Sequence, residues 1–348
     1  MEMQQKPLLD GMDPELMAPL ISRREAIRKG LSTSSMIAAG LALGSAPVAL
    51  AVLAKDVYGQ TPADILDALR FAYVLENLEN EFYKAVLGTS AVTAQNNAFA
   101  TVRASIPASA VAAFQQIQKH EAAHVAFIAQ AITLAGSSVP PLTANDFDFT
   151  GGNGSSTPGP FVRATTELAF LLLTAQALED TGVRAYKGQA GRLLINGDAL
   201  SDTVLEAALR IHSVEARHAA KLRRIRRALN TSDTSLRFSG YVLGSGVAAA
   251  GAGNIANPPQ AVIEALNAIY GGGSGPVSYN ESNTSHVVFN GTAAVTINAA
   301  TLANTDAIGN ATARSNAAQM AFDEALTKDE VIAIVRGFIK DDAARGLP

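Results

Sequence analysis

Two segments of the chain carry the same Glu-x-x-His spacing, Glu121-Ala122-Ala123-His124 and Glu215-Ala216-Arg217-His218. On a helix, residues three apart lie about 60° apart on one face, so each segment aims a carboxylate and an imidazole at one point in space. Two further glutamates, Glu76 and Glu179, are each followed by a tyrosine in the pattern Glu-x6-Tyr, ending at Tyr83 and Tyr186. Carboxylate and imidazole are the donors of divalent metal sites. In chain order the segments alternate, Glu…Tyr, Glu-x-x-His, Glu…Tyr, Glu-x-x-His, which is an internal repeat of one helix pair.

A glutamate from each of two helices, with Glu-x-x-His from each of two others, is the ligand set of dinuclear iron or manganese sites in four-helix bundles. Two cations a few ångströms apart repel, and shared carboxylates supply the negative charge that offsets this. One neutral imidazole per metal completes each shell. In the usual arrangement Glu121 and Glu215 bridge, Glu76 and Glu179 are terminal, and His124 and His218 serve one metal each. Tyr83 and Tyr186 are placed to orient the terminal glutamates. Glu79 shares the helix face of Glu76 and can replace or join it, but only Glu76 reproduces the spacing seen at Glu179. Glu81 points elsewhere and is expected in solvent.

Four helices must position these groups. The first is expected over about 62–87, from Thr61-Pro62-Ala63-Asp64 to Gly88, and the second from Ser105-Ile106-Pro107 to Gly136. A polar connection containing Ala94-Gln95-Asn96-Asn97 joins them. Residues 137–160 contain Pro140, Pro141 and a Gly-Ser-Pro run, and are predicted as a long irregular crossover. The third helix begins near Phe161 and is closed by Gly188 and Gly191. After a turn at Asn196-Gly197, the fourth runs from Ser201 to about Leu229. Its basic run Lys221–Arg227 reads as a solvated face near a helix C-terminus.

The chain has 348 residues, 48% hydrophobic and 17% charged, enough for a large buried core. A net charge of −4 offers no footprint for nucleic acid. The absence of cysteine removes thiolate, iron–sulfur and Cys-zinc chemistry, leaving oxygen and imidazole donors for any metal. Residues 1–54 are expected to be a targeting segment. Ser22-Arg23-Arg24 precedes an apolar run from Met36 to Leu53 that ends at the cleavage-like Ala49-Leu50-Ala51, and this resembles a twin-arginine signal. It implies the twin-arginine export machinery as a partner and a periplasmic or secreted destination, with an uncleaved membrane anchor as the alternative. The bundle occupies 55–230. Residues 231–348 turn rich in Gly, Ala and Asn, with short strands at Ser285–Phe289 and Ala294–Ile297 and helices at Pro259–Tyr270 and near the end, and read as a cover on the bundle.

The six ligand positions within 62–229 resemble the ferritin-like superfamily, including rubrerythrin, bacterioferritin and manganese catalase. Leu75-Glu76-Asn77-Leu78-Glu79-Asn80-Glu81-Phe82-Tyr83 and Phe322-Asp323-Glu324-Ala325-Leu326-Thr327 are most similar to its exported, desiccation-related branch. The resemblance implies an all-α, ferritin-like four-helix bundle with one long crossover and an appended mixed C-terminal region. It also implies two Fe or Mn ions and oxidoreductase chemistry on O2, peroxide or Fe(II) in stress protection. It leaves the choice of metal, the reductant and any homo-oligomer open. Two rivals stand beside it. One is a non-catalytic stress-related bundle. The other is a zinc metalloprotease, because His120-Glu121-Ala122-Ala123-His124 matches H-E-x-x-H; in a bundle, His120 is instead a neighbour of the metal site.

Overall fold

The structure is a computed structural model, and the residues described are 63–193, 199–229, 259–270, 285–289, 293–302 and 323–341. The expected targeting segment, 1–54, and the expected Asn196-Gly197 turn fall outside them. The protein is mostly helical, as the sequence predicts. Helix α1 spans Ala63–Leu87, short α2 Thr93–Ala98, α3 Ala100–Arg103, α4 Ala108–Leu134, α5 Leu168–Ala190 and α6 Ala199–Leu229. Helix α7 spans Gln260–Tyr270, and strands β1 Ser285–Phe289 and β2 Ala294–Asn298 pair antiparallel with Val287 opposite Thr296. Short α8 (Ala299–Leu302) and α9 (Lys328–Val335) complete the order. Among the described residues no helix is long and apolar enough to cross a membrane.

The bundle is built as two antiparallel pairs. Helix α1 packs along α4 and α5 along α6, and the pairs meet through α1 against α5 and α4 against α6. Glycines stop α1 and α4 as predicted: Gly88 and Gly136 adopt φ of 78° and 75°. In that left-handed conformation Thr89 and Ser137 donate back to Lys84 and Ile132, satisfying orphan carbonyls of the last turn.

Several elements depart from the sequence reading. The Ala94–Asn97 connection is helical, within α2, and Gln95 reaches the carbonyls of Ala144 and Phe147. Helix α5 starts at Leu168 rather than near Phe161, because Val162–Thr165 forms a 3-10 turn first. The crossover is tied down rather than loose. A capped 3-10 turn occupies Ala144–Asp146, and Phe147 bridges to Ile339 near the chain end. Asp148 and Asn153 donate through their backbone to Phe338 and Gly337, and Lys340 to Asp146. Backbone pairing over a long sequence separation therefore satisfies groups that a proline-rich loop could not pair internally.

Helix α5 is buried on every side between Phe170 and Tyr186. A helix buried all round needs neighbours on both faces; α1 and α6 cover one side, α7 and α9 the other. Gly188 does not close α5, which continues to Ala190. Its Cβ, if present, would fall on the Leu326 carbonyl, so glycine is there to let the C-terminal segment approach the helix. The same junction carries a buried polar network. Asp180 accepts from Arg223 at 2.5 Å and from the Tyr270 hydroxyl at 2.5 Å, and Gln176 bonds both Tyr270 and Arg226. Arg184 donates to the carbonyls of Glu324, at 2.7 Å, and Ile269.

The expected solvated face at Lys221–Arg227 is therefore corrected at two positions. Arg223 and Arg226 are buried, because α5 presents Asp180 and Gln176 to meet them. Glu81 is also buried, against Lys84 at 2.6 Å, rather than solvated.

Gly188→Ala should push the segment around Leu326 off α5. A loss of about 1–3 kcal/mol, the usual cost of overpacking, is expected in denaturant unfolding, together with earlier proteolysis in the C-terminal third.

Candidate metal centre

Each of the four long helices delivers its ligand candidates at mid-length, where the bundle is fully covered. Glu76 comes from α1, Glu121 and His124 from α4, Glu179 from α5, and Glu215 and His218 from α6. All six are buried, the four carboxylates completely. They form two overlapping groups, Glu76–Glu121–His124–Glu215 and Glu121–Glu179–Glu215–His218, within each of which one donor atom per residue lies within 4.8 Å of the others. Glu121 and Glu215 are common to both groups, the positions that the repeat assigns to shared carboxylates.

The imidazoles turn Nδ1 toward this centre. His124 Nδ1 lies 3.0 Å from Glu76, 3.1 Å from Glu121 and 3.3 Å from Glu215. His218 Nδ1 lies 2.8 Å from Glu121 and 3.1 Å from Glu179. Three oxygens of the shared pair, Glu121 Oε1 and both of Glu215, are buried without a well-aligned hydrogen-bond donor. Buried carboxylate oxygens in that condition need a cation or a proton. The donor set fits two divalent cations: four carboxylates balance their charge and leave the imidazoles neutral.

The tyrosines act across the repeat rather than along their own helices. Tyr83 of α1 donates to Glu179 of α5, and Tyr186 of α5 donates to Glu76 of α1. Adjacent antiparallel helices run past each other, so the hydroxyl that reaches a terminal glutamate belongs to the opposite helix. Both hydroxyls are held well above their usual pKa by burial and by the glutamate each one touches, which keeps them donors.

Glu79 is buried beside the centre but belongs to neither ligand group. Its counterpart in the second repeat is Gly182. A Cβ at Gly182 would sit 3.3 Å from both Glu79 Oε1 and Glu215 Oε2, so the missing side chain makes room for the fifth carboxylate. Burial first, and then the charges of Glu215, Glu179, Glu121 and Glu76, raise Glu79 far above the carboxylate range.

Burial and neighbouring carboxylates raise Glu215 likewise, and Glu121 is pushed up to about 7, burial outweighing its bonds from His124 and His218. Burial acts against charge on the histidines, yet the carboxylates overcome it. His124 is raised strongly, chiefly by Glu76, and His218 to about 10, chiefly by Glu179. His120 stands outside both ligand groups, with Nδ1 2.8 Å from His218 Nε2.

Residues 64–228 match the family model of the ferritin-like domain. No curated protein and no solved structure matches the chain. Fold and match agree: this segment is similar to the ferritin-like domain and folds as an all-α bundle, and its buried glutamate and histidine groups can hold metal.

Protons and cations compete for this centre. A histidine raised to about 10 holds its proton at pH 7, whereas a metal ligand must release it. Metal uptake by the apoprotein at pH 7 is expected to release at least two protons, one from each histidine, together with any held by the shared carboxylates Glu121 and Glu215. Affinity should rise with pH and fall more steeply below about 7, where Glu121 also takes a proton. Calorimetric titration with Mn(II) in buffers of different ionisation enthalpy measures this; uptake without proton release would refute it.

Proposed function

We propose that the protein is an exported oxidoreductase with a dinuclear iron or manganese centre, acting on O2, peroxide or Fe(II) in stress protection. The observation that carries this reading is the pair of overlapping ligand groups sharing Glu121 and Glu215. Two separate mononuclear sites would not share carboxylates. When bound, such a metal pair supplies one- and two-electron redox chemistry that protein side chains lack.

The chain's own contribution is geometry and exclusion of water. Tyr186 and Tyr83 hold Glu76 and Glu179 in orientation. On one side, Phe82 and Phe114 pack edge-on against Tyr83, and Phe99 and Phe149 pack edge-on against Phe82 in turn, with Phe82 and Phe99 5.8 Å apart. On the other, Tyr186 walls an apolar pocket of about 30 Å³ lined by Phe71, Leu75, Ile128 and Ile211. A pocket of that size and lining offers water few polar partners and admits only a few atoms. A small oxidant fits this centre, and a polypeptide substrate does not.

The geometry favours this reading over the zinc protease. That alternative needs His120 and His124 to converge on one ion, yet His120 belongs to neither ligand group. The twin-arginine-like segment and the resemblance to the desiccation-related branch support export and a protective role. A non-catalytic bundle that keeps its metal for stability uses the same ligands, and turnover separates the two.

The test is metal content per chain with peroxide consumption and Fe(II) oxidation, comparing the parent with Glu215→Gln. About two Fe or Mn per chain are expected in the parent. Because Glu215 is raised well above the usual carboxylate range, the amide mimics its protonated form. Stability of the apoprotein should therefore change by less than about 1 kcal/mol, while tight metal binding is lost. One zinc per chain, removed by His120→Ala, would establish the protease instead, and two metals without turnover would establish the structural bundle.

A further inference from the structure

The repeat that builds the centre is broken at one residue beside it. Four positions before His124 stands His120; four positions before His218, the corresponding residue is Val214. His120 does not serve the histidine of its own helix. Its Nδ1 lies 2.8 Å from Nε2 of His218 on α6, and its Nε2 lies 2.7 Å from the Gln116 amide. The two rings are inclined by 14° with centroids 5.1 Å apart. Their nitrogens are closer than their centroids, so the rings meet edge to edge and the contact lies along their in-plane lone pairs.

This contact constrains the tautomer of His218. To ligate a cation, Nδ1 must present a lone pair, so the one ring proton sits on Nε2. There it donates to His120 Nδ1. The proton of His120 is then on Nε2, where the Gln116 side chain, whose oxygen and nitrogen exchange by a half-turn, accepts it. Gln116 lies on the solvent side of α4. A chain of three side chains thus holds one metal-facing imidazole in the ligating form and orientation. For His124, no described residue hydrogen-bonds Nε2, and Val214 has no polar atom to offer.

We propose that His120 makes the two metal positions unequal: the position served by Glu179 and His218 fills first and holds its ion more tightly than that served by Glu76 and His124. His120 acts through His218 and is a positioning residue. The inference rests on the dinuclear reading above and adds an order of loading. It follows from the rule that a partner on the far nitrogen of a ligating histidine orients the ring and raises its basicity.

The experiment is a titration of the full-length apoprotein with Mn(II), free ion being followed by its electron paramagnetic resonance signal. The parent should bind in two resolved steps. His120→Val, which copies the second repeat, should weaken the first step by about 10–100-fold and merge it with the second. His120→Asn, which keeps an acceptor toward His218 and a donor toward Gln116, should restore most of the difference. Glu179→Ala should abolish the tight step, and Glu76→Ala the weak one. Circular dichroism and thermal unfolding establish that each variant is folded, and the two glutamate variants decide the order even if His120→Val is not. Two equal steps in the parent, a first step unchanged in His120→Val, or a tight step lost with Glu76→Ala would each overturn the inference while leaving the dinuclear centre standing. Uptake of one ion or none by the parent would overturn the dinuclear reading itself.

Discussion

The structure is organised around the mutual repulsion of carboxylates in a place where water cannot screen them. Glu76, Glu121, Glu179 and Glu215 are fully buried and face one another, with Glu79 behind. At the effective dielectric of a protein interior each close pair costs several kcal/mol, far more than in water. Only positive charge or protonation relieves this, and the surroundings reflect both. The histidines are driven to hold protons, Glu79 and Glu215 are driven to accept them, and two tyrosine hydroxyls point inward as donors. Two divalent cations would satisfy the same demand with one set of ligands.

Holding that arrangement requires a frame that does not yield. Helix α5 is central to it because adjacent residues serve opposite faces. Glu179 turns into the centre, while Asp180 turns outward to Arg223 and Tyr270 and fastens the C-terminal elements. Lys328 of α9 reaches Asp67 of α1 at 2.6 Å, and the chain end pairs with the crossover. The described C-terminal elements α7 and α9 and the segment around Ile339 thus brace the bundle from outside. A displaced ligand weakens a metal site steeply, so the brace bears on the centre even though it holds none of the ligand candidates.

Much of this was legible in the residue pattern. The four long helices and the grouping of Glu76, Glu121, His124, Glu179, Glu215 and His218 follow from helical periodicity and repeated spacing, both local properties of the chain. What escaped the pattern depends on which surfaces meet. Arg223 and Arg226 look like a solvated helix end until α5 places Asp180 and Gln176 opposite them. Glu81 looks like a surface acid because its neighbours in sequence do not reveal that its face of the helix is covered, with half-exposed Lys84 as its partner. Gly188 reads as a helix stop, since nothing nearby in sequence shows that the Leu326 backbone needs the space.

The sequence by itself determined the donor types, their number and the face of the helix from which each would project, because a 3.6-residue period converts spacing into direction. It also determined that two halves of the bundle are related by a repeat, and where that repeat is broken, at Glu79 against Gly182 and His120 against Val214. Only the tertiary structure decided that each tyrosine serves the glutamate of the opposite helix, that Glu79 stands behind the ligand groups, and that His120 meets His218. Those pairings depend on how far antiparallel helices slide past one another, a distance set by side-chain packing across the whole core and by no single stretch of chain.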